Sequence, residues 1–234
     1  MKKSLQKCYK NYLGNGNPKA KYWFIGFEPG GVIDKDPRTK HHLENDTDEC
    51  FVSFMNEPLT DNVEQGVYTA LSKFLENLEL TDCLNKNKTS FSFTKDSSAF
   101  FTNLYPLKFP SENHKDNDYN LEYYKQIFGI NSLNRQEIYP AEWIKRRSKL
   151  FEEFLVEKEK TILIFKNTKN PLYELLLNVE NFGEIKYSME AKNRSKSMID
   201  FYEIIIGDRS HQVIVMPNDI YADSTIKTVC EKIK

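Results

Sequence analysis

Glu28 is the one charged side chain in the run Tyr22-Trp23-Phe24-Ile25-Gly26-Phe27-Glu28-Pro29-Gly30-Gly31. A short apolar segment that ends in a Gly-Phe-Glu-Pro-Gly-Gly turn delivers a carboxylate from a buried strand to the rim of a sheet. Gly26, Gly30 and Gly31 permit backbone angles and close approaches that a β-carbon forbids. Pro29 fixes its own φ and pushes Glu28 towards an extended conformation. A carboxylate held that stiffly is placed to activate water or to steady a cation. Two amides stand in comparable contexts. Asn103 sits in the apolar run Ala99-Phe100-Phe101-Thr102-Asn103-Leu104, and Asn218 follows Met216-Pro217. A buried asparagine must find partners, and its amide offers both a donor and an acceptor, as the edge of a pyrimidine requires. Plainer readings stand beside these: a glycine-rich turn after the strand, a turn cap at Asn103, and a helix N-terminus at Asn218.

The chain that must position these groups has 234 residues, enough for one large α/β domain spanning 1–234. A formal net charge of −1 excludes a broadly basic nucleic-acid coat but leaves room for a local basic groove. Charge is unevenly placed. Residues 44–49 are acidic, whereas 145–149 (Lys-Arg-Arg-Ser-Lys) and 192–196 (Lys-Asn-Arg-Ser-Lys) are basic. Either basic cluster reads first as a solvated face. Lys192, Arg194 and Lys196 are the ones near a candidate site in sequence, and they are candidates for attracting phosphate.

Cysteines at 8, 50, 83 and 230 form no C-x-x-C pair, so no metal site is expected, and reduced cytosolic thiols are the plain reading. His41-His42 with Glu44 and Asp46 fits no ligand pattern of a helix or strand. Neither G-x-x-x-x-G-K-[ST] nor G-x-G-x-x-G occurs, and no cofactor is expected. The basic start, Met1 to Lys7, has no apolar stretch behind it, so no secretory signal is expected. No run of apolar residues is long enough for a membrane span. A cytoplasmic protein without a membrane or an obligate protein partner is the expectation.

Helices are expected at 3–13, 63–80, 119–128, 140–157, 170–178 and 222 to the end. Strands are expected at 22–27, 99–104, 161–165, 198–206 and 211–216. The segment 32–62 reads as a long polar loop, which in a compact domain is usually functional. Val63, Val67, Leu71, Phe74, Leu75 and Leu78 recur at helical spacing, and Thr161-Ile162-Leu163-Ile164-Phe165 is a continuous apolar run, as in a strand buried on both faces. Gly207-Asp208-Arg209-Ser210 reads as a tight hairpin turn. Strands alternating with helices predict a three-layer α/β/α sandwich around a central, mostly parallel sheet.

Gly26-Phe27-Glu28-Pro29-Gly30, then Thr102-Asn103-Leu104, then Met216-Pro217-Asn218 resembles, in order, the motifs of the uracil-DNA glycosylase superfamily. The likeness is nearest to the mismatch-specific uracil and thymine glycosylase branch, with its Gly-Ile-Asn-Pro-Gly first motif and Leu-Pro-Asn or Met-Pro-Ser second motif. About fifteen residues carry it. The resemblance implies a uracil-DNA glycosylase-like fold and a DNA N-glycosylase that needs no metal. Glu28 would stand where the family places its water-activating Asp or Asn. Asn103 would read the flipped base, with Gly26, Phe27, Pro29, Gly30 and Gly31 around the base pocket. Met216, Pro217 and Asn218 would press on the DNA, with Lys192, Arg194 and Lys196 attracting it. Departures are a glutamate longer than Asp, no His-Pro-Ser, and Asp219 beside the second motif. They point away from ordinary uracil removal and towards a deaminated, damaged or otherwise modified base, in repair or in defence against phage DNA. The partner would be duplex DNA with a flipped base, or single-stranded DNA. A catalytically silent nucleic-acid-binding module is the alternative on the same scaffold, and an α/β enzyme acting on a small nucleoside or glycoside is a third reading.

Overall fold

The computed structural model describes residues 13–26, 67–88, 90–104, 141–165, 172–192, 197–217, 220 and 222–233. In chain order the elements are β1 (Asn15–Gly16), β2 (Tyr22–Gly26), α1 (Val67–Asn77), a 3-10 turn (Thr81–Cys83), β3 (Ala99–Asn103), α2 (Ala141–Glu157), β4 (Thr161–Phe165), α3 (Leu172–Leu176), β5 (Tyr187–Glu190), β6 (Met198–Ile206), β7 (Arg209–Met216) and α4 (Asp223–Ile233). The strands form one seven-stranded sheet in the order β1-β3-β2-β4-β7-β6-β5.

Four central strands, β3-β2-β4-β7, run parallel. The outer strands do not: β1 pairs with β3, β6 with β7 and β5 with β6, all antiparallel. The sheet is therefore mixed, where the sequence predicts a mostly parallel one. Crossovers that contain α1 and α2 carry the chain from β2 to β3 and from β3 to β4, whereas short connections join β5 to β6 and β6 to β7. The β6–β7 connection is the hairpin expected from the sequence, closed more tightly than predicted. Ile206 pairs with Arg209, leaving Gly207 at φ +59° and Asp208 as the two turn residues, a placement that favours glycine in a hairpin.

Side chains along each central strand point alternately to the two faces and are buried on both, which is how one sheet supports two helical layers. Trp23, Ile25, Phe100, Ile162, Ile164, Val213 and Val215 face α2 and α3. Phe24, Phe101, Leu163, Phe165, Ile214 and Met216 face α1 and α4. The architecture is thus a three-layer α/β sandwich. On the α2 side Trp23, Phe100 and Phe151 form a mutual triangle with ring centroids 5.0–6.0 Å apart, within the range of favourable aromatic contacts. On the other side Leu71, Phe74, Leu75 and Leu78 of α1 and its continuation are buried at the predicted helical spacing. An ion pair from Lys73 to Asp223 (2.6 Å) joins α1 to α4.

Two elements escape the sequence reading. Asn15–Gly16, read as a helix stop, forms the edge strand β1, because Gly14 at φ +149° and Gly16 at φ +91° lie so close to β3 that a β-carbon would meet its backbone. Strand β5 carries mostly exposed side chains and has no apolar run to betray it; its pairing with β6 makes it a strand. The expected helices 3–13 and 119–128 and the loop 32–62 lie outside the described residues, apart from Leu13. Among the described residues no helix is long and apolar enough to cross a membrane.

Candidate functional site at the carboxyl ends of the parallel strands

In open α/β sheets, ligands bind outside the carboxyl ends of the strands, where the strand order reverses. Here β3 lies on one side of β2 while β4 and β7 continue on the other, so the reversal falls between β2 and β4. The carboxyl ends there are Gly26 and Phe165, flanked by Asn103 on β3 and Met216 on β7. Every segment that leaves these four strands (27–66, 105–140, 166–171 and 218–219) lies outside the described residues. Glu28, Phe27, Pro29, Gly30 and Gly31 are among them, as is Asn218.

Gly26 and Asn103 are direct partners in the parallel register of β2 and β3. Asn103 is only 4% exposed, and its Oδ1 fills the space that a β-carbon on Gly26 would need. Close approach, not an unusual φ, makes glycine necessary at position 26. The next peptide is held as well: Leu104 N–H donates to the Gly26 carbonyl at 2.8 Å.

Arg147 supports this corner from below. It projects from α2, is 2% exposed, and donates through Nη2 to the Asn103 carbonyl (2.8 Å) and to Thr102 Oγ1 (3.2 Å). Nη1 donates to the Leu104 carbonyl. Thr102 Oγ1 donates in turn to the Leu13 carbonyl at 2.6 Å. The guanidinium also lies over the Phe151 ring, 5.7 Å from its centroid, which suits a delocalised cation. The sequence reading of 145–149 as a solvated face is corrected here. Lys145, Arg146 and Lys149 are exposed, whereas Arg147 and Ser148 are buried. The signal was present in the sequence: position 147 falls three after Ile144 and four before Phe151, on the apolar stripe of α2.

Of the expected DNA-contacting residues, Met216 is 1% exposed and packs in the core beneath α4, and Pro217 is also buried. Strand β7 is central, so both side chains at its end are buried and neither stands out from the rim of the sheet. Lys192 is exposed, and its N–H donates to Thr225 Oγ1 (3.2 Å) in the first turn of α4. Ala191 N–H donates to the Ser197 carbonyl at 2.8 Å. These bonds seat the β5–β6 hairpin at the same end of the sheet as Gly26 and Asn103. Arg194 and Lys196 lie outside the described residues.

The opposite end of the sheet carries a second polar cluster, which the sequence did not reveal. Lys160, 3% exposed, donates through Nζ to the carbonyls of Pro18 (3.3 Å) and Ala20 (3.0 Å) and lies 5.6 Å from the centroid of the Trp23 ring. Burial lowers its pKa to about 8, against an opposing influence of Glu157. The backbone N–H of Lys160 donates to His211 Nδ1 at 3.1 Å. His211 is wholly buried, and burial followed by the Lys160 charge pushes its pKa down to about 4. It is therefore neutral, with its proton on Nε2, a buried atom with no hydrogen-bond partner among the described residues. An open trough of about 470 Å³, bordered by Tyr187, Glu203, Gln212 and Lys232, also faces away from the carboxyl ends.

Among the described residues, no three His, Cys, Asp or Glu side chains gather in a way that would hold a metal ion. Cys83 and Cys230 are buried, and burial, with Asp82 nearby, raises the Cys83 pKa to about 12. A thiol so raised stays protonated and unreactive near neutrality. No family model matches this chain, and neither does any curated protein or solved structure.

Proposed function

We propose that this chain is a DNA glycosylase, hydrolysing the N-glycosidic bond of a deaminated, damaged or otherwise modified base turned out of the DNA. The observation that carries the reading is the buried Asn103 amide seated against Gly26 beside the reversal of strand order, with Glu28 two residues beyond Gly26 in the chain. That pairing supports the reading because Asn103 then stands beside the strand whose chain continues to Glu28.

The chemistry is self-consistent. A base inside a duplex is inaccessible, and extruding it costs a few kcal/mol. Breaking the bond from C1′ to the base leaves positive charge on the sugar and sends the bonding electron pair to the base. Glu28 stabilises that charge and accepts a proton from the water whose oxygen attacks C1′. Asn103 meets the polar edge of the departing base. Lys192, at the same end of the sheet, adds attraction for phosphate, together with Arg194 and Lys196 that follow it in the chain.

The test is base release. Duplex and single-stranded oligonucleotides bearing a panel of deaminated, alkylated, oxidised and bulky modified bases are incubated with the protein, then treated with alkali to cut at abasic sites. Strand breaks at one modified base, abolished in Glu28→Gln, support the reading. Binding of DNA with a steep salt dependence but no release across the panel marks a binding module instead. Absence of both overturns any role on DNA.

A further inference from the structure

Arg147 holds both carbonyls that end β3, and the consequence concerns Asn103. The Asn103–Leu104 peptide is pinned on two sides: its carbonyl accepts from Arg147 Nη2 at 2.8 Å, and its N–H donates to the Gly26 carbonyl at 2.8 Å. One peptide plane is thus fixed between helix α2 and the end of strand β2. Fixing it fixes the direction of the Asn103 side chain, whose Oδ1 has no free space beside Gly26. A cation at one end of such a chain polarises each hydrogen bond that follows. Thr102 Oγ1, which also accepts from Arg147, ties the assembly to the Leu13 carbonyl.

We infer that Arg147 is a positioning residue for the candidate site, acting through the Asn103–Leu104 peptide to hold the Asn103 amide in its working orientation. The site's use on DNA rests on the function proposed above; the positioning itself does not. The guanidinium is buried and donates to the Asn103 and Leu104 carbonyls and to Thr102 Oγ1, which points to an internal role and not to a phosphate contact. Lysine at this position would keep the charge but lose the planar fork that spans two carbonyls.

Two readouts separate the inference from a merely structural role and from the proposed function. The first needs no substrate: amide hydrogen exchange of Leu104 in wild type, Arg147→Lys and Arg147→Met, read against the Ile164 amide as the reference for global opening. Ile204→Ala serves as a core variant of lowered stability away from the site. Leu104 should exchange about tenfold or more faster relative to Ile164 in the arginine variants, for the loss of one buried hydrogen bond, and not in Ile204→Ala. If Arg147→Met fails to fold, Arg147→Lys carries the same comparison. Leu104 exchange that tracks Ile164 in every variant that folds overturns the inference. The second readout uses whichever oligonucleotide the wild type processes. Arg147→Lys should lower kcat while KM stays within twofold, and a variant that removes the charge, Arg147→Met or Arg147→Gln, should leave the salt slope of binding unchanged; a slope flattened in the uncharged variant would make Arg147 a phosphate contact and overturn the inference. If the wild type processes no member of the panel, the glycosylase reading fails while the exchange result still decides the role of Arg147.

Discussion

Asn103 Oδ1 occupies the place where a β-carbon on Gly26 would stand, so the two residues are coupled by volume as well as by strand register. Gly26→Ala must displace the amide or the end of a buried strand. A loss of about 1–3 kcal/mol is expected for such overpacking. Truncating the partner should relieve it: in an Asn103→Ala background the added methyl costs less, giving a favourable coupling in a double-mutant cycle. Urea unfolding of the two single variants and the double variant measures this. Strict additivity would mean that the amide and the glycine are independent.

Asn103→Ala alone separates chemistry from architecture. If Asn103 reads the base, activity falls far more than stability. A purely structural side chain would instead show its loss in unfolding, at about 1–3 kcal/mol for a buried side chain cut back to alanine. Melting temperature and base release on one preparation distinguish the two.

Glu28→Gln should abolish base release while leaving DNA affinity within a few fold. Removing an electrostatic interaction made in the transition state costs about a hundredfold or more in rate. Undiminished turnover in this variant would assign the chemistry to another group.

Lys192, whose N–H is bonded to the first turn of α4, is followed in the chain by Arg194. Alanine at either position should weaken binding across sequences and reduce the slope of log affinity against log salt by about one for each phosphate no longer neutralised. Asn218→Ala should lower substrate processing instead. Fluorescence anisotropy titrations of duplex and single-stranded DNA across salt read the first effect, and base release reads the second. Unchanged affinity and turnover in all three variants would place the DNA surface elsewhere.

His211 predicts loss of stability in acid. Its folded pKa of about 4 lies below the ordinary 6.5, so the folded state binds fewer protons than the unfolded chain. The contribution is fully present above about pH 6.5 and is lost as pH falls through about 4. At most about 3 kcal/mol is involved, from 1.36 kcal/mol per pKa unit. Protonation must also break the bond from the Lys160 N–H to Nδ1. Stability measured from pH 7.5 to 4 should fall less steeply in His211→Gln. In Lys160→Met the imidazole should titrate higher, because the neighbouring ammonium is gone. A His211 resonance titrating near its ordinary value in the wild type would refute the assignment.

Patterns along the chain were enough to determine most of the local elements. Unbroken apolar runs marked β2, β3 and β4, because a central strand needs apolar side chains on both faces. Helical spacing marked α1, α2 and α4, and Gly207-Asp208 marked the hairpin. Strand β5 left no such trace, since backbone pairing with β6 defines it while its side chains stay largely exposed. Asn103 was recognisable as an amide in an apolar run, but its contact with Gly26 arises from the parallel register of strands far apart in sequence. Tertiary structure likewise decided the fates of charged residues. Arg147 and Lys160 look like ordinary surface cations, yet each finds backbone carbonyls brought to it by the sheet. Met216 reads as the start of a contact loop and lies instead under α4. Local patterns follow from which neighbours a residue has along the chain. A buried polar group is tolerated only where the fold supplies its partners, and those partners are distant in sequence.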